Sequence, residues 1–110
     1  MDIYMAKRKY NIELIRNKVV VGKCKIEIDN DVAWLENVLV YKKFRGLGYS
    51  KFLVKKAINL IRKTKIKIVK LHVKHDNYPA IKTYKNNGFK IIKKNFNNGK
   101  LFGYTMQLKL

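Results

Sequence analysis

The stretch Phe44-Arg45-Gly46-Leu47-Gly48-Tyr49-Ser50 places an arginine and two glycines where an apolar, strand-like run gives way to a helical pattern. Glycine at such a junction lets backbone N–H groups come close to a ligand, and the positive end of the following helix favours a phosphate. A second stretch, residues 77–89, holds Asn77, Pro79, Ala80, Tyr84, Gly88 and Phe89. There Asn77 suits a helix cap, Pro79 is tolerated in the first turn, and Gly88 ends the helix. No cysteine or histidine falls at metal-ligand spacing, so no metal is expected. His75 and Asp76 read as loop residues, Trp34 as a core or sheet-face aromatic, and Cys24 as a small buried apolar side chain.

Positioning these residues takes a particular order of elements. Residues 10–16 alternate well enough for a strand, Asn17-Lys18 makes a turn, and residues 19–29 continue as a strand with Cys24, Ile26 and Ile28 on one face. After a turn at 30–32, residues 33–40 complete an antiparallel meander. The period then changes: Leu53, Ala57, Leu60 and Ile61 recur at helical spacing with Val54 and Ile58 beside them, while Lys51, Lys55, Lys56, Asn59, Arg62 and Lys63 take the other side. Residues 66–74 read as a strand with Val69, Leu71 and Val73 on one face and Lys70, His72 and Lys74 on the other. A helix over 77–88 and a hairpin of 89–96 with 101–110 close the chain. The step from 33–40 to 66–74 is expected as a right-handed parallel crossover, with both edges of the sheet antiparallel.

The 110 residues, 47% of them hydrophobic, predict one domain over 1–110 with a single core. No apolar run approaches the roughly 18 residues of a membrane span, and the N-terminal decapeptide lacks the apolar segment of about 7–15 residues of a signal peptide. A single cysteine forms no internal disulfide and fits a reducing, cytoplasmic setting. Lys+Arg 26 against Asp+Glu 7 gives a formal charge of +19, which draws polyanions without regard to sequence. Arginine, the better phosphate reader, occurs only four times, and the lysines spread along the whole chain with abundant asparagine, isoleucine and tyrosine. The charge therefore reads first as codon bias with general anion affinity, and nucleic acid as the less favoured partner.

Taken together, the two stretches resemble the GNAT superfamily of N-acetyltransferases. Arg45, Gly48 and Ser50 match its Arg/Gln-x-x-Gly-x-Gly/Ala signature, and Asn77, Ala80, Tyr84 and Gly88-Phe89 match its Asn-x-x-Ala-x-x-x-Tyr signature with the closing Gly-Phe. Ser50 departs from the family's Gly or Ala. The resemblance covers roughly residues 10–110. It implies an α/β fold: a mixed, mostly antiparallel sheet with a central parallel strand–helix–strand step and two main helices. It implies acetyl-CoA as acyl donor, with its pyrophosphate on the backbone of Arg45, Gly46, Leu47, Gly48, Tyr49 and Ser50 and its pantetheine arm along Val38, Leu39 and Val40. Lys42, Lys43 and Lys51 supplement the field, and Asn77 and Tyr84 border the cofactor.

The family position of Tyr84 implies a general acid for the departing thiolate. A phenol at about 10 against a thiol at about 8.5 is uphill by ~1.5 units, or about 2 kcal/mol. An amine at about 10.4 is neutral once in a few thousand molecules at pH 7, so a base helps. His72, five residues before Asn77 where relatives carry an acid, and Glu36, on a strand that is Glu-bearing in the same enzymes, are equal candidates, with water as the base where neither serves. A backbone N–H near Val40 is the family's oxyanion donor. The family usually puts two helices between its first and second strands. About ten residues precede 10–16 here, so a short form is expected, its first strand being 2–8 or merged with 10–16. The acceptor side is then open or closed by a second subunit, giving a monomer or homodimer, and the acceptor is an amine of a small molecule or protein. The rival is a GNAT-fold module that binds nucleic acid or another polyanion.

Overall fold

The computed structural model describes residues 8–110. Strands β1 (Arg8–Arg16), β2 (Val19–Asp29) and β3 (Val32–Val40) are followed by a short 3-10 turn at Lys42–Phe44 and helix α1 (Tyr49–Arg62). Then come β4 (Ile68–Lys74), α2 (Tyr78–Asn86), β5 (Lys90–Asn97) and β6 (Lys100–Lys109). The six strands form one sheet in the order β1-β2-β3-β4-β6-β5, with β3 and β4 parallel and every other pair antiparallel. This is the expected mixed sheet with two helices. The part of the expectation that rests on residues 2–7 lies outside the described residues. No helix among them is long and apolar enough to cross a membrane.

Local chemistry sets the turns. Asn17 and Lys18 both have positive φ, as do Asn98 and Gly99, the signature of tight turns whose twist matches paired strands. β1 therefore runs directly into β2 through two residues, and β5 into β6 through two more.

Helix α1 lays Leu53, Val54, Ala57, Ile58 and Ile61 on the sheet, burying each of the larger ones for roughly 1.5–3 kcal/mol. Leu60, expected in that stripe, is 39% exposed. At about 100° per residue, the buried positions span an arc from Leu53 to Ile58, and Leu60 falls about 20° outside it. Across the helix-facing side of the sheet, Ile12, Leu14, Cys24, Ile26, Ile28, Ala33, Leu35, Val69, Leu71 and Val73 belong to one buried cluster with Tyr84, Phe89 and Met106. The strict alternation leaves Glu27, Trp34, Glu36, His72 and Thr105 on the opposite face.

Strand β3 carries one irregularity. Asn37 has φ +52, and the β2–β3 register shifts there, with Lys23 opposite Leu39 and Lys25 opposite Glu36. Two residues of β3 thus stand against Cys24, a β-bulge. Ala33 and Leu35 face the core before the bulge, and Val38 packs against it afterwards while Leu39 turns outward.

Candidate active site

β3 and β4 pair only over Val32 to Trp34 against Ile68 to Lys70. Beyond that point β3 bends at its bulge while β4 stays paired with β6 to Lys74, so the two parallel strands part. A cleft of about 620 Å³ opens on the helix side of the gap. Val38, Leu39 and Val40 of β3, Arg45, Gly46, Gly48, Tyr49 and Ser50 of the loop and helix start, and Asn77 and Tyr84 of α2 line it, as the sequence leads one to expect. Leu47 and Lys51, expected with them, do not: Leu47 stands between two left-handed glycines with its side chain 62% exposed, and Lys51 points to solvent from the first turn of α1. Phe44, Pro79, Ala80 and Thr83 complete the wall. Ala80 was legible as a residue of the second signature, though not as part of the wall; Phe44, Pro79 and Thr83 were missed there, although Ala80, Thr83 and Tyr84 share a face of α2 by their three- and four-residue spacing.

The loop is built to present backbone. Gly46 and Gly48 have φ of +81 and +79, and a Cβ at either would meet no atom within 4 Å. Their glycines answer the left-handed backbone, and the space in front of them is open to a ligand. Helix α1 starts at Gly48 with no side-chain cap and no acid in its first turn, so its N–H groups and positive end remain for an anion. Arg45 Nε donates to Val40 O at 3.0 Å, tying the loop back to β3. Ser50 Oγ and Thr83 Oγ1, 3.4 Å apart, join the two helices. Asn77 caps α2, its Oδ1 accepting from Ala80 N at 3.3 Å.

A second cleft of about 380 Å³ lies where the sheet's other face meets the same gap, lined by Glu27, Asp29, Trp34, Leu35, Glu36, Asn37, His72 and Tyr84. Tyr84 alone lines both clefts. It is 8% exposed and packs edge-on against Phe89 at 5.9 Å. Burial, with a smaller contribution from Cys24, pushes its phenol up to about 12. His72 stacks on Trp34 at 4.9 Å, and its Nδ1 lies 3.1 Å from Thr105 Oγ1. Lys70 Nζ sits 5.9 Å from the centre of the Trp34 ring. The Glu36 carboxyl is held above the usual carboxylate range by burial first, then by a hydrogen bond and repulsion from Glu27, against the pull of Lys9 and Lys25. The candidate bases His72 and Glu36 thus share one cleft with Tyr84. Trp34 is a sheet-face aromatic whose position puts it in that cleft too. Glu27 and Asp29 were not singled out in sequence. Their signal was their place between Ile26 and Ile28 and after it, on the face opposite the core.

The sequence model described as "Acetyltransferase (GNAT) family" matches residues 3–89. The structure is similar to the ribosomal-protein-S18-alanine N-acetyltransferase of Escherichia coli, with TM-score 0.80 and 22% identity over 96% of this chain and 71% of that one. It is similar to the PaiA N-acetyltransferase of Thermoplasma acidophilum in complex with coenzyme A, with TM-score 0.78 and 19% identity over 93% of this chain and 61% of that one. A GNAT family acetyltransferase of Elizabethkingia anophelis with acetyl-CoA bound has TM-score 0.77 and 16% identity over 91% of this chain and 75% of that one. At these identities the likeness is one of fold. None of the curated proteins matches the chain significantly.

Proposed function

This chain belongs to the GNAT family of acetyltransferases, and we propose that its 110 residues act as one domain that moves an acetyl group from acetyl-CoA to an amine. The carrying observation is that Tyr84 is the shared wall of two clefts meeting where β3 and β4 part. The helix-side cleft fits the acyl donor: a glycine loop open to a ligand, an uncapped helix start, and a β3 edge that β4 does not pair beyond Trp34. Acetyl-CoA supplies a thioester carbonyl and a thiolate leaving group. Val38, Leu39 and Val40 offer that edge to its pantetheine amides, and the backbone of 45–50 takes its phosphates. Leu47 contributes its N–H only, and Lys51 adds long-range field.

The amine enters from the opposite face. Three carboxylates, Glu27, Asp29 and Glu36, line that cleft beside the Trp34 indole, in a chain whose formal charge is +19. A cationic amine suits such a wall by Coulomb attraction. The acidic cleft thereby reverses what bulk charge alone favours, an acidic acceptor. One proton leaves the acceptor ammonium for a base, His72 or Glu36, before nitrogen attacks. The N–C bond forms as the C–S bond breaks, and a second amine proton ends on the thiol, leaving amide, coenzyme A and one released proton.

Tyr84 donates its O–H to the departing sulfur. With the phenol at about 12 and a thiol at about 8.5, full proton transfer is uphill by ~3.5 units, or about 5 kcal/mol, well above the ~1.5 units of unperturbed groups. Tyr84 therefore stabilises the thiolate mainly by hydrogen bonding. The test is an acceptor panel with acetyl-CoA, following thiol release and product mass. Acetylated product from a cationic amine supports the reading; thiol release that no amine accelerates defeats it.

A further inference from the structure

The hydrogen bonds behind His72 separate the two candidate bases. Thr105 is buried, 6% exposed. Its Oγ1 accepts from Asn95 Nδ2 at 3.0 Å and stands 3.1 Å from His72 Nδ1. The three side chains come from β5, β6 and β4, and the register that places Thr105 opposite His72 fixes the contact.

The amide nitrogen of Asn95 donates and cannot accept. β6 lies between β4 and β5 and pairs with both, so its carbonyls serve the ladders. Among the described residues the side-chain partners of Thr105 Oγ1 are Asn95 Nδ2 and His72 Nδ1, and of these only the Nδ1 lone pair of His72 can accept the hydroxyl hydrogen. Leaving a buried donor unmade is costlier than a typical hydrogen bond is worth, so the hydroxyl points there. A neutral imidazole carries a single ring proton. With Nδ1 accepting, that proton is on Nε2.

We infer that Thr105 is a positioning residue that holds His72 as the neutral Nε2–H tautomer, making His72 a hydrogen-bond donor to the open-face cleft and not the base that takes the acceptor's proton. The Trp34 ring stacked at 4.9 Å fixes the imidazole plane. The other titratable groups on this cleft are Glu27 and Asp29 from β2, Glu36 from β3 and Tyr84 from α2, with Lys9 of β1 and Lys25 of β2 acting on Glu36 and Lys70 of β4 over the indole. With His72 set aside, Glu36, which lines the same cleft, is the side-chain base left to take the proton ahead of water. The catalytic meaning of this assignment rests on the acetyl-transfer reading; the tautomer itself does not.

The experiment exploits a chain with two histidines. Ring ¹⁵N shifts of the uniformly labelled full chain, assigned with His75→Gln, report which nitrogen of His72 carries the proton at a pH of about 8.5, where an ordinary imidazole is neutral. The expected result is the Nε2–H form. Thr105→Val should lower the ratio of Nε2–H to Nδ1–H by about fivefold, the weight of one neutral hydrogen bond. Thr105→Ser, which keeps the hydroxyl, should restore it and guards against a valine variant that fails to fold. A wild-type His72 in the Nδ1–H form, or a ratio unmoved in a folded Thr105→Val, overturns the assignment whether or not any amine is acetylated. Once an acceptor is in hand, the acidic limb of the pH–rate profile should persist in His72→Gln at whatever rate remains. Its disappearance there would make His72 the base and defeat the inference while leaving acetyl transfer intact.

Discussion

Replacing Tyr84 with phenylalanine removes one hydroxyl and keeps the ring that packs edge-on against Phe89 at 5.9 Å, so the fold and both clefts should survive. What is lost, on the proposed function, is the hydrogen-bond donor to the departing sulfur. A hydrogen bond to a charged partner contributes about 1.5–3 kcal/mol, which corresponds to a fall of about 10- to 150-fold in kcat. The loss should sit in kcat, because the thiolate exists only as the C–S bond breaks and the ground-state thioester sulfur is a poor acceptor. The phenol is pushed up to about 12, so it stays protonated across ordinary assay conditions. The wild type should accordingly show no falling limb from Tyr84 below a pH of about 11. Steady-state thiol release at saturating acetyl-CoA and acceptor, from about pH 6 to 10 in about half-unit steps, reads both quantities. A variant within about twofold of wild-type kcat, or one whose whole defect is a raised KM for acetyl-CoA, would refute the reasoning.

Gly48→Ala should cost about 1–2 kcal/mol of stability for a left-handed alanine and raise the KM for acetyl-CoA by about tenfold or more, since its methyl enters the cleft proposed for the donor. Gly99→Ala is the control: its φ is +76 and its surroundings are equally open, but it lies in the β5–β6 turn, so it should show the strain without the KM effect. Glu36→Gln should flatten the acidic limb of the pH–rate profile. The carboxylate forms only above its raised value, so the wild-type limb should lie at higher pH than an ordinary glutamate's. Alkaline stability follows from two buried groups, the Cys24 thiol raised from 9.0 to about 11 and the Tyr84 phenol from 10.0 to about 12. Both hold their protons more tightly when folded, so their contributions are intact below pH 9 and 10 and are lost as pH rises through about 11 and 12. Each is worth about 2.7 kcal/mol. Urea midpoints should therefore fall steeply above about pH 9, and Cys24→Ala should start from lower stability but lose its first portion of the fall.

Much of the architecture follows from period alone. Cys24, Ile26 and Ile28 alternate into the core as their spacing requires, and Leu53, Ala57 and Ile61 form the helix stripe. Leu60 misleads because leucine is apolar wherever it stands, and only the width of the buried arc decides its side. The bulge at Asn37 was hidden inside what reads as one strand over 33–40. Its two-against-one register depends on where β2 pairs, and a left-handed asparagine carries no unique local mark. The helix-side cleft was readable in its motif residues because two separate stretches carry them. Its outer limits were not: Leu47 lies within the motif yet turns outward, while Phe44, Pro79 and Thr83 lie near it and face in. The contact of Thr105 and Asn95 with His72 was beyond reach in the sequence. It brings Thr105 to a histidine 33 residues away through a register that only the paired sheet supplies.

The central claim is a cleft shaped for acetyl-CoA and not merely a cationic surface. The direct measurement is thermal stability at about 150 mM salt, where surface attraction is screened beyond about 8 Å, with acetyl-CoA, ATP and heparin compared side by side. At about 100 times its dissociation constant, acetyl-CoA should add ~2.7 kcal/mol, well above ATP and heparin, and Gly48→Ala should abolish the difference. Equal shifts from all three, unchanged by Gly48→Ala, would mean that a chain of charge +19 holds anions without regard to shape, and would contradict the account.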